Sequence, residues 1–181
     1  MVLTIDIGNT TIGIGGFQGN KLLFIEKISS RRPLSDAGYI EKLNMILNKH
    51  GLSAEAFEGS MISSVVPSVT AVFSSALETI LGRKPLILSH KLDLGYEICT
   101  DFPEKVGCDR LADIAGAISR YSLPFVTIDL GTATTFNVLD ENRRFLGGLI
   151  LPGVGTAHRA LLGKTAQLPK GDIHMPAHTI G

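Results

Sequence analysis

The 181-residue chain carries 17 Lys plus Arg against 17 Asp plus Glu, so its formal net charge is zero. That balance excludes the basic stripe of a nucleic-acid binder and the charge run of an acidic tail. Hydrophobic residues make up 44% and charged residues 19%, enough for a packed core in one domain or two small ones.

Residues 2–7 predict a buried strand, Gly8-Asn9-Thr10 a turn, and Thr11 to Phe17 a second strand. Gly19-Asn20 is a hairpin signal, and Lys21 to Ile28 a third strand. Pro33 to Lys49 has helical spacing, with Tyr39, Leu43, Ile46 and Leu47 on one face and Gly51 as a stop. Ser60 to Val66 predicts a strand, Pro67 to Leu81 a helix ending at Gly82, and Pro85 to Ser89 a strand. A helix carrying Leu111, Ile114, Ala115 and Ile118 lies within Pro103 to Tyr121, where Asp113 reads as part of a solvated face. The order is βββ-α-β-α-β-α. It then begins again: strands over Phe125 to Leu130, Thr134 to Leu139 and Arg144 to Leu151, and a helix over Thr156 to Gln167.

The two starts are alike. Ile5-Asp6-Ile7-Gly8-Asn9-Thr10-Thr11 lies on Ile128-Asp129-Leu130-Gly131-Thr132-Ala133-Thr134, an offset of about 123 residues, as a duplicated pair of βββαβαβα domains would give. Residues 1–121 read as a complete copy and 122–181 as a copy that stops after βββα.

No stretch approaches the roughly 18 consecutive apolar residues of a membrane span. The Met-Val-Leu-Thr-Ile-Asp start has no basic region ahead of an apolar one, so it does not read as a secretory signal. The two cysteines, Cys99 and Cys108, fit a reduced cytosolic protein, and neither they nor the histidines have a metal spacing. Glycine is over-used, at 20 of 181 residues.

Both repeat turns combine a glycine with hydroxyl side chains, so backbone N–H groups and hydroxyls can grip phosphate oxygens. Asp6 and Asp129 would repel phosphate unless a cation stands between, which reads them as direct or water-mediated metal ligands. Two ordinary hairpins, each Asp capping its own turn, is the other reading, and the matched repeat weakens it. Gly107-Cys108-Asp109-Arg110 leads into a helix, where Asp109 could accept a proton from an attacking alcohol and Arg110 could hold a carboxylate by two parallel hydrogen bonds. A plain helix start with an exposed Arg explains those four residues as well. Gly147-Gly148-Leu149-Ile150-Leu151-Pro152-Gly153 reads as a strand with a bulge and a turn. Cys108 reads as a small packing residue.

These segments, Asp6 to Thr10, Gly107 to Arg110, Asp129 to Thr134 and Gly147 to Gly153, with Gly163 to Pro169, resemble type III pantothenate kinases in order and spacing across the whole chain. The resemblance implies a duplicated actin-like (ribonuclease H-like) α/β fold of the acetate and sugar kinase, Hsc70 and actin superfamily. It implies transfer of the ATP γ-phosphoryl to the 4′-hydroxyl of pantothenate, the first step of coenzyme A synthesis. By motif, Asp6, Ile7, Gly8, Asn9, Thr10, Thr11, Ile12 and Gly13 would hold ATP phosphates, and Thr132 would touch ATP. Asp109 would be the general base. Gly107, Cys108, Asp109 and Arg110 would contact pantothenate. Asp129 would bind K⁺ or NH₄⁺, and Mg²⁺ would accompany the nucleotide, with Asp6 near it. The family is cytoplasmic and homodimeric.

Three departures stand out. Cys108 replaces the usual Ala. Thr100 stands where a substrate-contacting Tyr is often found, and Tyr96 is out of register with it. Family proteins continue past the position of Gly181, with a Thr that contacts pantothenate across the dimer and a glycine pair near the adenosine. The alternative is a catalytically inactive relative with a regulatory or partner-binding role; a sugar or acetate kinase is disfavoured because those chains are much longer.

Overall fold

The structure is a computed structural model that describes residues 1–165, 171 and 173. The 166–167 end of the last predicted helix and the 166–169 part of the Gly163 to Pro169 stretch lie outside the described residues.

The first half opens as a meander of β1 (Val2–Ile7), β2 (Thr11–Gln18) and β3 (Lys21–Ser29). Then come α1 (Asp36–Lys49), β4 (Gly59–Ser64), α2 (Pro67–Leu81) and β5 (Leu86–Ile87). The sheet order is β3-β2-β1-β4-β5, antiparallel through the meander and parallel from β1 to β4 and β5. Alternation builds its core. Leu3, Ile5 and Ile7 on β1, and Ile12 and Ile14 on β2, are at most 2% exposed. They pack under Tyr39, Leu43 and Leu47 of α1 and Phe73 and Leu77 of α2. The Tyr39 and Phe73 rings tie the two helices, their centroids 4.7 Å apart. Ser35 caps α1, its Oγ accepting from Gly38 N at 3.2 Å.

The second half repeats the meander with β7 (Phe125–Leu130), β8 (Ala133–Leu139) and β9 (Arg144–Pro152), followed by α4 (Val154–Lys164). A short strand from the first half, β6 (Glu97–Ile98), joins it in parallel, giving the order β6-β9-β8-β7. Sequence periodicity did not predict β6, because two residues carry no repeat to read. Between the sheets runs α3 (Cys108–Ile118), which touches β4, β7 and β8. Ile114 of α3, Leu139 and Phe145 are fully buried and form a small second core with Tyr96, Ile98 and Phe125. The fold is therefore the expected duplicated α/β arrangement, with α3 joining the halves. Among the described residues no helix is long and apolar enough to cross a membrane.

Candidate active site

The two repeat turns face one another. Thr10 Oγ1 and Thr132 Oγ1 lie 3.0 Å apart, a contact across 122 residues of sequence. Each turn closes on its own backbone, Gly8 N donating to Thr11 O at 3.0 Å and Gly131 N to Ala133 O at 2.9 Å. Residues 8–11 bridge the paired Ile7 and Ile12, whereas 131–133 bridge Leu130 and Thr134, so the second turn is one residue shorter. Ile7 and Ile12 point into the first core with no exposed surface, so these two can meet a ligand only through backbone. Asn9 and Thr11 are exposed, and Thr10 is half-buried.

The third glycine-rich segment supports the second turn. Thr132 O accepts from Gly153 N at 3.0 Å and from Thr156 Oγ1 at 2.8 Å. A Cβ at Gly153 would collide with Gly131 O, so only glycine lets the start of α4 come this close. The expected bulge is present as a register shift between Val138 and Leu139.

Helix α3 brings the second motif to the same cleft. Gly107 precedes its first turn, and Asp109 lies within that turn. Asp109 Oδ1 accepts from Arg110 N at 2.8 Å. Arg110 lies over β8: Nε donates to Asn137 Oδ1 and Nη2 to Phe136 O at 3.3 Å, with the guanidinium carbon 5.4 Å from the Phe145 ring centroid. Asn137 in turn donates from Nδ2 to Thr127 Oγ1 at 2.9 Å. Arg110 is thus held in place rather than exposed, and its Nη1 has no protein partner among the described residues. Burial lowers its affinity for a proton, while Asp109 and Asp113 hold it up. Cys108 turns its thiol to Leu88 O at 3.1 Å, and burial pushes that thiol up, as a packing residue would show. Tyr96 donates to Leu111 O at 3.0 Å and is committed to α3.

Four carboxylates sense one another here. Crowding by the protein body raises the Asp6 carboxyl although one edge is open to solvent; Ser63 pulls it down, and Asp109 and Asp129 push it up. Asp113 corrects the sequence reading. It is half-buried rather than on a solvated face, and its carboxyl is pushed up to about 6, by burial first and then by Asp129, Asp109 and Asp6. The signal was available: Asp113 follows Asp109 by four residues, one turn along the same helix face. Two hydroxyls also escaped the sequence reading. Ser63 is in register with Asp6, and Thr135 with Asp129. Both are 7% exposed, and neither hydroxyl has a hydrogen bond of good geometry.

Among the described residues no three carboxylate, His or Cys side chains converge into a metal cage. The donors suit a hard cation whose remaining ligands come from phosphate: carboxylates and hydroxyls, with Arg110 the nearby cation. A groove of about 570 Å³, lined by Tyr121, Phe125, Val126 and Thr127, borders this constellation only at Thr127.

A family model described as type III pantothenate kinase matches residues 2–181. The type III pantothenate kinase of Dictyoglomus turgidum is 36% identical over 181 residues, which is 100% of this chain and 71% of that one. That of Bifidobacterium animalis subsp. lactis is 40% identical over 176 residues, 97% of this chain and 70% of that one. Among solved structures, a protein described as a Baf family transcriptional activator from Campylobacter jejuni is 17% identical with a TM-score of 0.54, covering 97% of this chain and 67% of that one, and so shares the fold. With paired turns, the Asp109 helix and a match over its length, the chain belongs to the type III pantothenate kinase family.

Proposed function

We propose that the chain transfers the γ-phosphoryl of ATP to the 4′-hydroxyl of pantothenate, the first step of coenzyme A synthesis. The observation that carries this reading is the approach of Thr10 to Thr132, with Asp109 in electrostatic range of Asp6 and one helical turn from Asp113, which senses both Asp6 and Asp129. Family membership favours catalysis over the regulatory alternative.

In this reading residues Asp6 to Gly13 and Thr132 hold the nucleotide phosphates, through turn amides and hydroxyls. Phosphoryl transfer depends on positioning and charge neutralisation more than on covalent chemistry by the protein. Asp109 takes the proton of the pantothenate hydroxyl as the bond to phosphorus forms. The unpartnered Nη1 end of Arg110 meets the pantothenate carboxylate, while its other edge stays on Asn137 and Phe136. Gly107 and Cys108 line this site through their backbone. Asp129 would hold K⁺ or NH₄⁺, and Asp6 would stand near Mg²⁺ carried by ATP; these cations offset charge on the phosphates. Residues 1–121 and 122–181 are the two lobes, and the protein works as a cytoplasmic homodimer.

Asp109→Asn tests the mechanism. It is expected to lower turnover by about 10²–10⁴-fold and to leave ATP affinity largely unchanged. Turnover equal to that of the parent would remove Asp109 from the reaction.

A further inference from the structure

The two halves differ at a matched position in the middle strand of each meander. In the first, Thr4 of β1 pairs with Gly15 of β2, and the Thr4 hydroxyl donates to Gly15 O at 3.2 Å. In the second, Thr127 of β7 pairs with Asn137 of β8. An amide thus stands where the first half has no side chain. Asn137 is 0% exposed, and a polar side chain so buried must find partners. Both ends of its amide are used. Nδ2 donates to Thr127 Oγ1 at 2.9 Å, and Oδ1 accepts from Nε of Arg110 on α3. The neighbouring strand leaves room for this contact. A Cβ at Gly148, which pairs with Asn137, would collide with Phe136 O and press on Arg110 Nη2. Arg110 is half-buried, yet among the described residues no carboxylate lies within ion-pair distance of its guanidinium. Its acceptors, Asn137 Oδ1 and Phe136 O, are neutral.

A hydrogen bond from Nε to a fixed oxygen sets the plane of a guanidinium, because the group can no longer turn about its last bonds. A neutral oxygen does so without cancelling the charge. We propose that Asn137 is a positioning residue for substrate: anchored by Thr127, it holds Arg110 Nε so that the charged Nη1 end faces the carboxylate of the acceptor substrate. Asn137 acts through Arg110 and does not touch the substrate itself. This role rests on the reading of Arg110 as the carboxylate contact. It adds the origin of selectivity: an acid is preferred to the matching neutral alcohol because the charge that meets it is already oriented, and little side-chain freedom is lost on binding. Removing the amide would release that orientation and leave the Nε donor without its acceptor.

The test measures, by calorimetry on the 181-residue chain, equilibrium binding of pantothenate and of the analogue whose carboxylate is reduced to an alcohol. Nitrogen NMR of the Arg110 Nε–H group reports its exchange with water. The parent should prefer pantothenate, and its Nε–H should exchange slowly. Asn137→Leu should weaken pantothenate binding at least tenfold, change that of the alcohol less than twofold, and speed Nε–H exchange at least tenfold. Asn137→Asp offers Nε the same acceptor, and the Thr127 hydroxyl can turn to donate to it, so slow exchange should return. Should Asn137→Leu fail to fold, Thr127→Val decides. It keeps the branched shape, removes the anchor, and should weaken pantothenate at least threefold with the alcohol unchanged. Pantothenate affinity equal to the parent's, equal losses for acid and alcohol, Nε–H exchange that stays slow in Asn137→Leu, or exchange as fast in Asn137→Asp would each overturn the proposal. A parent that does not prefer pantothenate would instead overturn the reading of Arg110, and the proposal with it.

Discussion

Asp109 and Asp113 differ by one helical turn, and their legibility differed for a physical reason. Asp109 stands beside a glycine at a helix start, a local pattern. The four-residue spacing puts Asp113 on the Asp109 face of the helix, but its burial depends on the second sheet packing against α3, which no local pattern carries. Its carboxyl rises from 3.8 to about 6 through burial and three like charges. Between those values the folded state keeps a proton that the unfolded state has lost, so this group's contribution to stability falls as pH rises from about 4 to 6 and stays lost above. Asp113→Asn should therefore be more stable than the parent at pH 7, by on the order of 1–2 kcal/mol. The difference between the two should shrink toward pH 4. Urea unfolding across that range, in sodium buffer without Mg²⁺, measures it. A variant no more stable at pH 7 would contradict the account of the cleft charges.

At the scale of elements, the long strands and helices were legible because each buries one regular face. The role of Gly147 to Gly153 was not. As sequence it is a strand with a bulge; in space Gly153 sits against the second repeat turn, an approach that depends on contacts far along the chain. Gly153→Ala should displace residues 131–132 and raise the KM for ATP at least tenfold, more than it lowers kcat. An unchanged KM would separate the Gly153 contact from nucleotide binding. Phe145 is fully buried in the small second core and lies beside Arg110. Phe145→Ala should cost about 3–5 kcal/mol in unfolding free energy. Denaturant titration checks this, and a loss below about 1 kcal/mol would mean the second sheet is held by something else.

For the whole molecule, the repeat was visible as two matched turns about 123 residues apart, but the sequence could not say that they meet. The 3.0 Å approach of Thr10 to Thr132 makes one site of two motifs, with α3 packed between the sheets that carry them. Net neutrality fits the proposed site, in which phosphate would be held by turn amides, hydroxyls and bound cations rather than by a basic surface. At this scale the proposed cation role of Asp129 would tie catalysis to the medium: turnover should be high in K⁺ or NH₄⁺ and at least tenfold lower in Na⁺ alone. Equal rates would withdraw the monovalent-cation role. The most direct test of the proposed reaction is ADP release by the 181-residue chain from Mg-ATP in K⁺ buffer, with and without pantothenate. The account predicts release that depends on pantothenate and matches 4′-phosphopantothenate formed, mole for mole. Release that ignores pantothenate, or no release at all, would contradict it.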